Sequence, residues 1–147
     1  MSGAPSESAT MRPAPGAIRL LHEARLAEKR QALFYRALAA AAEEANAVDL
    51  SERMNGLHAD EQHHLSRLTV RLVEFGEPVA DLGAEPAPAV DLDSWEGVAR
   101  ASEEDEIERY EQLLAEALDE RTRTMIEEFL TAERSHASVL GGKWMGA

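Results

Sequence analysis

Two Glu-x-x-His motifs lie inside the apolar stripes of two amphipathic segments, and they constrain the fold more than any other feature of the sequence. The first runs from Glu61 to His64 and the second from Glu133 to His136. Residues three apart lie on one face of a helix, so each motif presents a carboxylate and an imidazole in the same direction. Because an ionised carboxylate in an apolar core is very costly unless it is paired or metal-bound, the motifs predict a polar centre enclosed by helices.

Hydrophobic periodicity predicts four helices in the chain. The first segment spans residues 17–46, the second ends at Gly76, the third reaches Leu118 and the fourth spans residues 120–140. Asp49 or Ser51 is the expected cap of the second helix, and Asp93 or Ser94 that of the third. Gly141 and Gly142 are expected to end the fourth helix.

These segments form one predicted domain over residues 17–141, between a disordered tail at residues 1–16 and a short tail at residues 142–147. Residues 76–93 form a long connection, whereas the other two connections are short. Short connections predict two antiparallel helical hairpins, and the long one permits a crossover between them. That connectivity is typical of ferritin-like bundles, so the predicted fold class is an all-α, ferritin-like four-helix bundle.

Composition removes several classes of function. The chain has no Cys, which excludes disulfides, thiolate-bound zinc, iron–sulfur clusters and thiol catalysis. Its formal net charge of -13 argues against binding to nucleic acid or to an anionic membrane. No apolar run resembles a signal peptide or a membrane span, so the cytoplasm is the expected location.

The two halves of the sequence align as copies of one helical hairpin. The two Glu-x-x-His motifs match each other, Glu28 of the first helix matches Glu103 of the third, and Tyr35 matches Tyr110. Each half therefore offers one Glu and one Glu-x-x-His, and two facing halves make one site. The predicted metal ligands are Glu28, Glu61, His64, Glu103, Glu133 and His136.

This ligand set predicts two metal ions bridged by carboxylates. Four glutamates supply four negative charges, which balance two divalent cations. Oxygen ligands with one imidazole per ion suit iron, with manganese as the alternative. Tyr35 and Tyr110 are expected to donate hydrogen bonds to the ligand carboxylates, or else to be ordinary interior tyrosines.

Over residues 18–140 the sequence resembles the rubrerythrin branch of the ferritin-like di-iron superfamily. The motifs that carry the resemblance are Glu28 with Tyr35, Glu61-x-x-His64, Glu103-x-x-Glu106 with Tyr110, and Glu133-x-x-His136. In that family a Glu-x-x-Glu on the third helix provides an additional iron ligand, and the resemblance assigns this role to Glu106. The matching position in the first helix is Gln31.

The resemblance implies a di-iron oxidoreductase that oxidises two Fe(II) ions with O2 or hydrogen peroxide, as a ferroxidase or a peroxidase. It also implies a homodimer or a higher homo-oligomer. The Cys-rich rubredoxin domain of full-length rubrerythrins has no counterpart in this sequence. An external electron donor is therefore expected.

Three alternatives to this function remain at the sequence level. The Glu and His residues could pair with each other or with Arg in a metal-free structural bundle. The domain could instead hydroxylate an organic substrate, which a roomy apolar pocket beside the ions would favour. It could also bind iron without turnover.

Several polar residues have simpler interpretations. His22, His58 and His63 are expected at the surface or at the edge of a stripe rather than among the ligands. Asp60 and His63 form a competing pair beside Arg67 and Arg71, and this pair is assigned to the solvated face of the second helix. The acidic neighbours of Glu103 and Glu106 are explained by the positive end of the helix dipole.

Overall fold

The computed structural model describes residues 12–140, and it contains four long helices and no strand within that range. The helices are α1 (Pro15–Glu44), α2 (Val48–Glu74), α3 (Trp95–Leu114) and α4 (Glu120–Leu140). Helix α1 packs on α2 and α3 packs on α4, while α1 also contacts α3 and α2 contacts α4. The predicted all-α four-helix bundle of two paired hairpins is confirmed.

The ends of α1 and α2 depend on two residues with left-handed backbone conformations. Asn46 has a φ of 60° and Gly76 a φ of 80°. In both places the following N–H group bonds to a carbonyl five residues earlier, at 2.8 Å after Asn46 and 3.0 Å after Gly76. This backbone pattern satisfies carbonyls that the helix end would otherwise leave without donors.

Helix α1 differs from the prediction at both ends. It begins at Pro15, so the last residues of the predicted tail are helical, and it stops at Glu44. A proline fits the first turn because its missing N–H would have no partner there. The rest of that tail, residues 1–11, lies outside the described residues, as do the predicted helix end at Gly141 and the C-terminal tail.

The predicted caps of α2 and α3 do not form side-chain hydrogen bonds. Ala47 precedes α2, and no side chain caps that helix. Ser51 instead donates its hydroxyl to the carbonyl of Ala39 at 3.0 Å, which joins α2 to α1. Ser94 precedes α3 as expected but makes no capping bond.

The turn between α3 and α4 is longer than the sequence indicates. Helix α3 ends at Leu114 rather than Leu118, and Arg123 donates to the carbonyl of Leu114 at 3.2 Å. Asp119 accepts a hydrogen bond from the backbone N–H of Thr122 at 3.1 Å, which is the geometry of a cap for α4.

The connection from α2 to α3 runs along the bundle. Trp95 at the start of α3 shares an apolar cluster with Met54 near the start of α2, so the chain has returned to the end where α2 begins. Val79 and Val90 of the connection pack against different apolar clusters. Such a crossover makes every pair of neighbouring helices antiparallel.

Apolar side chains form two clusters, one toward each end of the bundle. The Leu21 cluster includes Leu21, Leu72, Tyr110, Ile126 and Phe129. The Leu38 cluster includes Tyr35, Leu38, Met54, Trp95 and Leu140. In every helix the predicted ligands lie in sequence between the residues of these two clusters, so the two cores enclose the site. Within residues 12–140, no helix is both long enough and apolar enough to cross a membrane.

Arg71 belongs to a buried ion pair, although the sequence places it beside the solvated face of α2 that carries Asp60 and His63. Its guanidinium bonds to Asp119, and its Nε donates to the Thr122 hydroxyl at 2.9 Å. Both charged side chains are buried. Burial raises the pKa of Asp119, but hydrogen bonds from Thr122 and Arg71 outweigh burial and hold that pKa below its usual value.

We expect Asp119→Ala to lower the free energy of unfolding by about 3 kcal/mol, because it leaves the Arg71 guanidinium buried without its partner. The Asp119 contribution is present at neutral pH and is lost as the pH falls through its depressed pKa. Urea titrations followed by circular dichroism measure the change. As a control, Glu23→Ala removes an exposed ion pair with Arg19 and should cost less than about 0.5 kcal/mol. Equal losses in the two variants would contradict a structural role for the buried pair.

Candidate metal centre

All six predicted ligands meet in the middle of the bundle. The four glutamates are completely buried, and His64 and His136 are only 5% and 6% exposed. Helices α1 and α3 contribute one Glu each, and α2 and α4 contribute one Glu-x-x-His each. All four helices therefore contribute to the site, and the two copies of the repeat face each other across it.

The imidazole of His64 faces three carboxylates. Its Nδ1 lies 3.2 Å from Oε2 of Glu28, 3.5 Å from Oε1 of Glu61 and 3.4 Å from Oε2 of Glu133. One ligand atom from each of these four residues falls within 4.8 Å of the others. We name this group the His64 position.

The imidazole of His136 faces a matching set. Its Nδ1 lies 3.0 Å from Oε1 of Glu133, 3.5 Å from Oε2 of Glu103 and 3.9 Å from Oε2 of Glu61. These four residues also offer ligand atoms within 4.8 Å of one another. We name this group the His136 position.

The two positions share Glu61 and Glu133. Each of these carboxylates turns one oxygen toward His64 and the other toward His136. Glu28 and Glu103 belong to one position each. Two shared and two unshared carboxylates form an arrangement that could hold two metal ions.

The carboxylate and imidazole atoms of the cluster are better suited to binding cations than to hydrogen bonding with one another. Both oxygens of Glu61 and both of Glu133 are buried and have no hydrogen-bond partner among the described residues. The same holds for one oxygen of Glu28, one of Glu103 and the Nδ1 atom of His136. Buried polar atoms normally have partners, so this group of orphaned acceptors could hold metal ions.

Electrostatics in the cluster favour neutralisation of the carboxylates. Burial, reinforced by neighbouring carboxylates, raises the pKa of Glu28 and of Glu61 well above the usual range. Burial also opposes ionisation of Glu133, but the adjacent imidazoles of His136 and His64 lower the pKa of this Glu. For His136, burial disfavours the charged ring, yet contacts with Glu103 and Glu133 raise the pKa to about 11.

The two buried tyrosines join the hairpins across the site. Tyr35 of α1 donates its hydroxyl to Glu103 of α3, and Tyr110 of α3 donates to Glu28 of α1. Burial and the adjacent carboxylate raise the pKa of each phenol well above its usual value, so both remain donors. Each tyrosine orients a carboxylate of the opposite hairpin.

Glu106 and Gln31 flank the centre at matching positions of the repeat. Glu106 is buried beside the cluster but belongs to neither position, and its carboxylate is paired with Arg109. Gln31 donates its amide to Oε2 of Glu103 and to the Tyr35 hydroxyl, both at 3.2 Å. The repeat is therefore asymmetric here, with an acid on α3 and an amide on α1.

The remaining histidines lie away from both positions. His22 contacts Glu77 at 3.0 Å, and Nδ1 of His58 lies 2.9 Å from the carbonyl oxygen of Ala32. Neither belongs to a group of possible ligands. Asp60, which sequence analysis assigned to the solvated face, lies with Oδ2 3.0 Å from Nε2 of His136. Asp60 directly precedes the ligand Glu61 in the sequence. Its partner His136 lies on α4, however, and the pattern within α2 alone does not predict this contact between helices.

Comparison with known proteins adds no assignment. No family model matches the chain, and neither does any curated protein. The resemblance to rubrerythrins therefore stays a prediction from the motifs.

The metal-free protein should lose stability as the pH rises through neutrality. Burial raises the pKa of Glu103 to about 7 and that of Glu106 to about 8. A carboxyl whose folded-state pKa is raised contributes stability at low pH, and the contribution is lost as the pH rises through that raised value. Because one pKa unit corresponds to about 1.4 kcal/mol and both carboxyls are shifted by more than one unit, we expect the free energy of unfolding to fall by several kcal/mol between about pH 5 and about pH 8.

Urea titrations in the presence of EDTA would measure this loss across the pH range. Addition of Mn(II) at the alkaline end should restore the stability, because bound cations replace the protons. A free energy of unfolding that stays constant over this range would contradict the description of the cluster.

Proposed function

We propose that this protein is a di-iron oxidoreductase that oxidises Fe(II) with O2 or hydrogen peroxide. The proposal is carried by one observation, namely that two Glu/His groups overlap through the shared carboxylates of Glu61 and Glu133. When bound, a pair of Fe(II) ions supplies the two electrons that reduce the oxidant. Carboxylate oxygens with one imidazole per ion are a ligand set that iron accepts.

The side chains hold the ions, exclude competing ligands and keep the centre dry. Glu61 and Glu133 set the separation of the two positions because each is committed to both. Glu28 and Glu103 are fixed by the tyrosine hydroxyls, which limits their freedom to rotate. These 147 residues contain no Cys for an electron-transfer centre, so we propose an external donor of the electrons for repeated turnover.

A surface cavity of about 350 Å³ is lined by Glu106, which is buried beside the ligand cluster. Arg30, Ser102 and Arg109 also line it. A molecule as small as hydrogen peroxide fits this volume. We assign the cavity as the route of the oxidant, with Glu106 available as a further oxygen ligand.

We expect an anaerobic titration of the metal-free protein to end at two Fe(II) ions per chain. The double variant Glu61→Gln/Glu133→Gln should bind neither ion tightly, because it removes the carboxylates common to both positions while preserving their volume. Rapid mixing of the loaded wild-type protein with peroxide or O2 should give oxidation faster than that of free Fe(II).

The matched control is Glu104→Gln/Glu108→Gln, which removes two exposed charges from the same helix as the ligand Glu103. This variant should bind and oxidise iron as the wild type does. No Fe(II) binding would return the protein to the class of structural bundles. Stable binding with no accelerated oxidation would leave iron storage or delivery and would contradict the enzymatic proposal.

A second candidate function, oxidation of an apolar organic substrate, is favoured by one cavity. It has a volume of about 430 Å³ and lies between α1, α3 and the crossover. Phe34, Pro86, Pro88 and Val98 give it apolar walls, and Gln31 connects it to Glu103. Gln31 and Phe34 separate this cavity from the ligands, which is why we rank the second candidate below the first.

We expect Val98→Trp, which fills this cavity from an exposed position, to leave the reaction of the di-iron protein with peroxide unchanged. Stopped-flow absorbance of the loaded protein measures the rate. The parallel test adds a small aromatic such as toluene and analyses the products. Toluene oxidation by the wild type that is lost in Val98→Trp would favour the second candidate instead.

A further inference from the structure

The sequence repeat that relates the two hairpins does not extend to the residue that contacts His136. While Nδ1 of His136 faces the shared carboxylates, its Nε2 lies 3.0 Å from Oδ2 of Asp60. An imidazole that donates its Nε2 proton to a carboxylate keeps the Nδ1 lone pair directed at the cluster. Such a partner fixes the tautomer and makes the ring a stronger donor to a bound ion.

His64 has no matching carboxylate. The register that aligns Glu61 with Glu133 puts Ala132 of α4 where α2 has Asp60. Every carboxylate contact of His64 within residues 12–140 is made by its Nδ1 atom. Its ring instead stacks on Phe129, with 4.2 Å between the ring centroids.

The difference between Glu106 and Gln31 does not offset the difference between the two histidines. Glu106 lies beside Glu28 and so beside the His64 position, but the guanidinium of Arg109 compensates its charge. Gln31, at the matching place beside the His136 position, is uncharged and donates to Glu103. Asp60 is therefore the one added carboxylate that acts on a ligand histidine within the described part of the chain.

We infer that Asp60 makes the two positions unequal, so that the His136 position binds a divalent ion more tightly and fills before the His64 position. This inference rests on the proposed metal centre. Asp60 is a positioning residue, because its carboxylate acts through the His136 ring and belongs to neither group of possible ligands. Its side chain is 56% exposed, so we expect an effect at the lower end of the usual range for such partners, about tenfold in affinity.

The test is a Co(II) titration of the full chain in competition with a chelator, which yields both stepwise dissociation constants. Asp60→Ala should weaken the first step by about tenfold and leave the second unchanged, so the second step serves as an internal control for folding. Asp60→Asn should have a smaller effect, because the amide oxygen still accepts the Nε2 proton without the charge. Glu52→Ala, which removes an exposed carboxylate from the same helix, should change neither step.

Two further variants separate this role from a general effect on stability. Ala132→Asp supplies the missing carboxylate to the His64 half of the repeat and should tighten the second step. In a His136→Ala background, Asp60→Ala should have no further effect on the remaining ion, because the ring through which Asp60 acts is gone.

Equal weakening of both steps by Asp60→Ala, or no weakening of either, would overturn the inference and leave the metal centre standing. A wild-type protein that binds no Co(II) would overturn the proposed function itself. The two failures therefore give different results in the same titration.

Discussion

The constraint on which the rest of the structure depends is the burial of four glutamates at one level of a helical bundle. Each comes from a different helix, so no local stretch of chain can satisfy them. Desolvation and mutual repulsion oppose so many charges in an apolar interior. The two imidazoles and the two tyrosine hydroxyls offset part of this electrostatic cost. Protons or cations would offset the rest. The apolar clusters on either side must supply the stability that holds the four helices in register.

The hairpins are joined through this polar layer as well as through apolar packing. Tyr35 and Tyr110 each reach from one hairpin to a glutamate of the other, so both halves of the repeat contribute to each group of possible ligands. The buried pair of Arg71 and Asp119 also joins the hairpins, near the turn that starts α4. Because the positions depend on contacts between hairpins, neither half of the chain has the complete centre.

Repetition explains the ligands, and its exceptions distinguish the two positions. Glu106 faces Arg109 where the other half has Gln31, and Asp60 contacts His136 where the other half has Ala132. Each exception changes the surroundings of a ligand without changing the ligand set. A duplicated hairpin can thus keep a symmetric set of Glu and His side chains while the surroundings of the two His residues differ.

The sequence by itself determined the four helices, the paired hairpins and the set of six residues that meet, because helical periodicity places Glu61, His64 and their repeats on buried faces. It predicted less well what depends on contacts between distant segments. The C-terminal end of α3, the burial of Arg71 and the contact of Asp60 with His136 were missed. Periodicity reports which face of one helix a residue occupies, whereas a long side chain at the edge of that face is buried or exposed according to its neighbour. Only the packing of α2 against α4 decided that Arg71 would find Asp119 and that Asp60 would find His136.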